Sequence, residues 1–536
     1  MRDIEIPQPE DRRGRYRLFE ILPGALSWTI LIMPFVLAVF APVAGAGFII
    51  GYLLLWFVKV TGMNVRAIQG YSNISKHMKL PWHYLLKQLG NRKTEDIGQA
   101  TPKWHLQNVE RIKKSPPMVE PDDVIHAIII AAYNEAREVL EPTIKSVLAS
   151  EHDMNKVILV LAYEERGGEG IEKTAKELMS QYGGKFKHAF AVKHPKDMPG
   201  EVIGKGGNIT YAGRKLQKFL EKKKIDPKRV VVTTLDSDNR PHKSYLAALT
   251  YLYCVSPDPL HVSFQPIAMY TNNIWDAPAP MRVIATGNSL WNTVLSLRPH
   301  LVRNFSAHAQ GMQALIETDF WSVRTIVEDG HQFWRSYFTF DGNYEAYPMY
   351  LPIYQDAVLS NTYAKTLKAQ FVQLRRWAWG ASDIAYVADK GFFTPNKVPK
   401  LDLIAKFMRL LEGHISWATA ALLITTAAFI PAFLNPQDYT SVQLPLIASR
   451  IQNIALLGIF VTLFFSLKTL PPKPARYKRR RSIFMILQWL ILPVTTIGYH
   501  AMAAIYSQTR LMFGWYIDKF DLTDKAVVRD DKSKVL

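Results

Sequence analysis

Four long stretches of this chain carry no Asp, Glu, Lys or Arg, and a lipid bilayer accounts for them best. They are Ile21–Val58 (38 residues), His414–Leu434 (21), Ile451–Leu467 (17) and Ser482–Thr509 (28). A helical span needs about 20 apolar residues, so the first block fits a hairpin, its turn marked by Pro42, Gly45 and Gly47. The blocks lie at the two ends of the 536-residue chain and are longer than ordinary core helices, which favours spans.

Basic residues orient these spans. Arg2, Arg12, Arg13, Arg15 and Arg17 precede the first block. Lys468, Lys473, Arg476, Lys478, Arg479, Arg480 and Arg481 crowd one later connection, whereas Asn435–Pro445 has neither Lys nor Arg. The positive-inside rule then puts the N-terminus, the long middle region and the Lys468–Arg481 connection in the cytoplasm. The last block permits one span, or a short hairpin broken near Pro493, and the mixed charges of the tail do not choose between them. Leu403, Ile404, Phe407, Met408 and Leu411 recur at helical spacing around Asp402, Lys406 and Arg409, which predicts an amphipathic interface helix. The initial block is too long for a cleavable signal. The expected division is a cytoplasmic segment 1–20, two spans in 21–62, a cytoplasmic domain 63–399, an interface helix 400–412, about three spans in 413–515, and a tail 516–536.

The net charge of +19 would suit an anionic partner. Seven of the basic residues lie in one inter-span connection, where topology explains them, so nucleic acid is not an expected partner. A 48% hydrophobic composition excludes a disordered chain, and a single cysteine, Cys254, excludes an internal disulfide or a Cys-based metal site.

The middle region alternates between two periods. VIHAIIIAA (Val124–Ala132), KVILVLA (Lys156–Ala162) and RVVVTTL (Arg229–Leu235) read as buried strands; Val139–Ala149 and Ile171–Tyr182 read as helices. This alternation predicts a mostly parallel sheet covered by helices, and ligands of such sheets bind beyond the carboxyl ends of the strands. Tyr133–Asn134–Glu135, Glu164–Glu165 and Asp236–Ser237–Asp238 all fall there. Asp236 and Asp238 suit a hard divalent cation carrying phosphate. Lys205 opens a helix through Gly206, Gly207 and Asn208, a place for an anion or a polar base edge, without matching a P-loop. In Glu328–Asp329 a carboxylate could take a hydroxyl proton. Gln373, Arg376 and Trp377 combine an amide, a diphosphate-binding fork and a ring that stacks on sugar.

These elements, in this order between membrane blocks, resemble the membrane-integrated processive glycosyltransferases of family 2, the cellulose synthase and hyaluronan synthase type. The resemblance spans roughly residues 124–380 by motif and the flanking blocks by architecture. It implies an α/β GT-A-type nucleotide-sugar-binding domain, its sheet mostly parallel, flanked by transmembrane helices. It also implies an inverting hexosyl transfer from a nucleotide sugar, with a UDP-sugar the expected donor, to a growing polysaccharide exported through the chain's own helices. A lipid acceptor is the alternative product. By the same resemblance Tyr133, Glu135, Lys205 and Asn208 contact the nucleotide. Asp236 contacts it too, and holds Mg2+ or Mn2+ with Asp238. Asp329 is the general base, and Gln373, Arg376 and Trp377 hold acceptor and diphosphate. The enzyme would sit in the plasma (inner) membrane, catalytic domain inside.

The chain departs from that pattern in three places. Glu164 stands where the family has an aspartate, Val327 where it has a threonine, and Phe305–Ser306–Ala307–His308 replaces its acceptor segment, with His308 read as structural. A transporter, or an inactive nucleotide-sugar-binding scaffold, is the rival reading. A transporter predicts ionisable residues inside the spans, and the uncharged blocks offer only His414 and His500.

Overall fold

The computed structural model describes residues 4–94, 101–517 and 525–526. The N-terminal uncharged block folds into two helices, α1 (Gly14–Phe40) and α2 (Pro42–His77), which turn at Ala41. Pro42 begins α2, where its missing N–H costs nothing. Gly45 and Gly47 lie inside α2 rather than at the turn, and Gly45 packs on Leu37 and Ala38. At 36 residues, α2 is far longer than a bilayer core, which a helix of about 20 residues crosses. Its far end packs into the α/β domain: Gly70 lies against Thr293, and Ile74 joins Ile267 and Met269.

Eight strands form one mixed sheet in the order β3-β2-β1-β4-β7-β6-β8-β5. They are β1 (Ile125–Ala132), β2 (Val157–Glu164), β3 (His188–His194), β4 (Val230–Asp236), β5 (Arg240–Pro241), β6 (Val262–Tyr270), β7 (Ala309–Gly311) and β8 (Glu345–Gln355). Strands β1 to β4 pair in parallel, as does β6 with β8; β7 runs antiparallel to β4 and β6. Strand β1 is buried on both faces, as the centre of a parallel sheet requires. Its residues alternate between two cores. Ile128, Ile130 and Ala132 enter one, with Leu159, Leu161 and Tyr163 of β2; Ile125, Ala127 and Ile129 enter the other, with Ile158 and Val160. Burying each large side chain contributes roughly 1.5–3 kcal/mol.

The register brings the strand ends level. Ala131 pairs with Asp236, Ala132 with Tyr163 and Glu164 with His194. Helices α3 (Arg137–Leu148), α4 (Gly168–Tyr182) and α5 (Lys205–Lys223) follow strand ends β1, β2 and β3, and α5 starts at the same edge. Two further helices, α6 (Glu328–Thr339) and α7 (Tyr363–Ala378), complete the frame of that edge.

Three more helices close the chain. The amphipathic stretch Leu401–Leu411 is not a separate element. It forms the first turns of an unbroken helix, α8 (Lys400–Thr426); the one breaker between it and the apolar run that follows is Gly413, and a single interior glycine costs a helix about 1 kcal/mol without ending it. Among the described residues, helices α9 (Tyr439–Thr469) and α10 (Arg480–Phe513) join α1 and α2 as the four helices long and apolar enough to cross a membrane. Both ends of α10 hold to the α/β domain side of the molecule. Arg481 donates to the Trp275 and Ala277 carbonyls, and the Leu511 and Met512 carbonyls accept from Arg17 at the start of α1. The helix is interrupted at Gln488–Ile491 and Thr496–Ala501, flanking Pro493. Beyond its end, residues 525–526 lie against Leu359 near the carboxyl edge of the sheet.

Candidate active site

The level strand ends gather the loop residues. Beyond β1, Glu135 accepts the Tyr133 amide N–H (2.6 Å) and the Ser237 hydroxyl (3.0 Å), tying the first loop to the Asp236–Asp238 loop. At the end of β2, Glu164 is buried and faces His194 (3.1 Å), whose other nitrogen faces Glu201 (3.0 Å). Burial opposes a charge on His194, but the two carboxylates outweigh it and raise its pKa to about 9. The Glu164 Oε1 atom is buried without a hydrogen-bond partner. Asn208, in the first turn of α5, donates both amide hydrogens to backbone, to the Ala132 carbonyl (3.2 Å) and the Ala162 carbonyl (3.1 Å). It clips the ends of β1 and β2 together.

Lys205 is the hub. Its Nζ lies 2.9 Å from Asp236, 3.2 Å from Asp329 and 3.8 Å from Glu328. Burial works against this ammonium, but Asp236, Asp329 and Glu328 more than offset it and its pKa lies above the ordinary lysine value. Burial likewise opposes the Asp236 charge, yet Lys205 and Lys525 hold that carboxyl well below the usual range. Asp236 also accepts the Ser306 hydroxyl (2.5 Å). Glu328 behaves oppositely: burial, reinforced by the Asp329 charge, raises it to about 8, so it carries a proton at neutral pH. Of this adjacent pair, Asp329 is the more accessible member.

His308 stands beside Asp329. Trp321 Nε1 donates to its Nε2 (3.0 Å), so Nδ1 bears the hydrogen, which points to the Phe305 carbonyl (2.9 Å), with Asp329 3.7 Å away. Burial lowers its pKa, which favours the neutral ring. Arg376, on α7, is buried within the field of Glu328, Asp236 and Asp329.

Asp238 is held on both oxygens. Lys525 Nζ donates to Oδ1 (2.8 Å) and the Asp356 amide to Oδ2 (2.9 Å). Asp356 itself has a buried Oδ1 without a hydrogen-bond partner, and burial beside Asp238 raises its pKa to about 6. The donor set fits a hard cation: anionic oxygens face one another, and the Lys525 ammonium already stands there as a cation. Among the described residues no three His, Cys, Asp or Glu side chains form a ready metal-ligand set. A Mg2+ or Mn2+ ion at Asp236 and Asp238 would therefore complete its shell with water and phosphate, as Mg2+ commonly does.

Helix α7 supplies the membrane-side wall. Gln373 accepts from Gln370 (3.1 Å), and Trp377 lies 6.1 Å from Tyr270, ring centre to ring centre. Trp377 also packs with Met281, Leu374 and Ala503. The Arg375 carbonyl accepts the Ser507 hydroxyl of α10 (2.7 Å).

The structure thus brings Asp236, Lys205, Asp329 and Arg376 to one point. Glu135, Asp238 and Lys525 lie on one flank of it; Glu164 and Asn208 sit at the ends of β2 and β1, and Gln373 and Trp377 lie on α7. Sequence reasoning did not pick out Ser306, Asp356 or Lys525. An acid directly after a strand would have flagged Asp356 had β8 been recognised; nothing local marks Lys525.

No protein-family model matches the chain, and no curated protein matches it. Among solved structures, a mannosyltransferase from Pyrobaculum calidifontis in complex with GDP-Man and Mn2+ is 13% identical over 84% of this chain and 99% of its own, with a TM-score of 0.40. TarS from S. aureus is 8% identical over 72% of this chain and 55% of its own, with a TM-score of 0.33. Its 1–349 fragment with UDP-GlcNAc is 10% identical over 77% and 98%, at 0.34. At these scores the likeness carries no functional weight.

Proposed function

We propose that the chain is a membrane-embedded inverting glycosyltransferase moving a hexose from a nucleotide sugar, of the UDP-sugar class, to a growing polysaccharide. The observation that carries this reading is Lys205, which joins Asp236 and Asp329 at the carboxyl edge of the sheet. Residues far apart in sequence, each suited to one part of sugar transfer, meet there next to apolar helices.

Asp329 accepts the proton of an acceptor hydroxyl. The freed oxygen attacks the anomeric carbon from the face opposite the diphosphate. The bond from that carbon to the diphosphate oxygen breaks, its electron pair leaves with the diphosphate, and the configuration inverts. Arg376 and Lys205 meet the charge that develops. A diphosphate between Asp236 and Arg376 competes for Lys205 and so frees Asp329 from its ion pair. Asp236 and Asp238 would hold Mg2+ or Mn2+, which when bound neutralises diphosphate charge. Tyr133, Glu135, Glu164 and Asn208 border the nucleotide end; Gln373 and Trp377 border the acceptor, next to helices through which a polymer would leave. The domain faces the cytoplasm and the helices lie in the inner membrane.

The test uses purified membranes, a panel of radiolabelled nucleotide sugars and Mn2+ or Mg2+. Label in high-mass product is the expected result, and label confined to extractable lipid would replace polymer with a glycolipid. The Asp329→Asn variant is expected to lose transfer by about 10²–10⁴-fold while retaining donor binding. Unchanged transfer would remove Asp329 from the chemistry.

A further inference from the structure

Lys525 is an unusual occupant of this site, since it comes from beyond the last apolar helix. Its Nζ donates to Asp238 Oδ1 (2.8 Å) and Ser237 Oγ (2.7 Å), and Asp236 and Glu135 lie within its field. Its backbone is docked as well. Lys525 forms a parallel bridge with Leu359, and the Ala526 amide donates to the Leu359 carbonyl (2.9 Å). Leu359 follows the Asp356–Ala357–Val358 turn and leads into α7: the next residue, Ser360, donates its amide to Thr366 in the first turn of that helix (3.0 Å). One short piece of chain therefore touches both the aspartates that would hold a metal and the base of the helix carrying Gln373, Arg376 and Trp377.

We propose that Lys525 is a tethered cation that fills the acidic donor site and yields it to a divalent metal, so that metal binding releases residues 525 and 526 from Leu359. This deepens the glycosyltransferase reading and rests on its assignment of Asp236 and Asp238 as metal ligands. The argument is one of charge and space. Asp238 has both oxygens engaged, and Oδ1 can face the metal only if the ammonium leaves it. Two cations sharing that oxygen would stand a few ångströms apart in a low-dielectric cleft, where like charges repel strongly. Glu135 and Asp238 lie in the same space, and loss of Lys525 without replacement would remove the cation that faces them, whereas Asp236 keeps Lys205. The exchange of one cation for another keeps the site neutralised at every stage. Because Leu359 leads into α7, release of the strap formed by residues 525 and 526 would also free the segment that precedes that helix.

The test compares the full chain with its Lys525→Ala and Lys525→Gln variants in nanodiscs. Mn2+ binding is read by the loss of the free-ion electron paramagnetic resonance signal, without any sugar transfer. Both variants are expected to bind Mn2+ more tightly by on the order of 10- to 100-fold, the effect of removing a competing charge at contact distance. In parallel, a spin label on Ala526→Cys reports the strap; the native Cys254 is buried and does not compete for label. Mn2+ is expected to mobilise the label in the otherwise native chain. Unchanged or weaker Mn2+ binding in both variants, or a label that stays immobile with Mn2+ bound, would overturn the exchange while leaving the metal assignment standing. Failure of native and variant chains alike to bind Mn2+ would instead remove the metal assignment, and the exchange with it.

Discussion

Gly206 offers a sharp test of the hub, because it is the residue after Lys205 and has no room for a side chain. An ideal Cβ there would lie 2.3 Å from the Ser322 carbonyl oxygen and 3.2 Å from Glu328 Cβ. The nearer contact is backbone and cannot rotate away, so Gly206→Ala must part the first turn of α5 from the Ser322 segment by about 1 Å to reach ordinary van der Waals separation. Overpacking of this kind costs about 1–3 kcal/mol, and the helix preference of Ala over Gly returns up to about 1 kcal/mol. The net stability loss should be modest. Catalysis should suffer far more, since Lys205 is carried on the same turn and must meet Asp236 at 2.9 Å and Asp329 at 3.2 Å. A misplacement of about 1 Å costs on the order of 10²-fold in rate. Gly170→Ala, where no heavy atom lies within 4 Å of the added Cβ, is the matched control. The assay pairs radiolabelled sugar transfer in purified membranes with thermal unfolding followed by size-exclusion chromatography. Transfer within twofold of native for Gly206→Ala would refute the reasoning, because the Ser322 segment would then yield without disturbing Lys205.

Two buried groups make opposite contributions to the pH dependence of stability. His194 has a folded pKa of about 9, above the ordinary value near 6.5, so its ion pairs with Glu164 and Glu201 stabilise the fold fully below about pH 6.5 and lose that effect as pH rises through 9. The contribution is on the order of 3 kcal/mol, so the melting-temperature gap between native and His194→Gln should narrow from pH 6 to pH 9.5; a constant gap would refute the ion pairs. Glu328, at about 8, keeps a proton that the unfolded chain releases near pH 4.5, so it costs stability progressively from pH 5 to above 8. Glu328→Gln should match the native chain at pH 5 and exceed it at pH 9, and a parallel pair of pH profiles would show that the carboxyl is not buried as a neutral acid.

Strands β1, β2 and β4 were legible because each is buried on both faces and so reads as an unbroken β-branched run. Strand β8 was hidden by Pro348 and Pro352, and β6 by Pro266, since proline normally argues against a strand interior. They survive as strands because β8 lies next to the short edge strand β5, and the β6–β8 register shifts at Pro266/Ile267. The site divides the same way. Asp236, Glu164 and Lys205 lie at the ends of readable elements, whereas Asp356 follows β8 and His194 ends β3, whose run HAFAVKH holds one β-branched residue and is only partly buried. The proton on Glu328 is a product of tertiary burial and has no sequence pattern at all. Charge counting located the apolar blocks, but it could not show what holds the two ends of α10, because those contacts come from Arg17 and from the Trp275–Ala277 segment.

Those contacts engage part of the most basic connection in the chain. Arg476 and Tyr477 bind Asp276, and Arg481 binds the adjacent carbonyls, so this connection docks the last helix onto the α/β domain. The docking has a consequence for the site. Gln508 of α10 donates to the His414 carbonyl of α8 and accepts from Ser27 of α1, while its neighbour Ser507 donates to Arg375 on α7. Three apolar helices and the helix carrying Arg376 and Trp377 are thereby held by two adjacent side chains. A soluble acceptor would need none of this coupling. On the proposed reading, an acceptor that enters or leaves along the apolar helices would need all of it, because Trp377, Arg376 and the helices beside them would have to keep one alignment through each transfer.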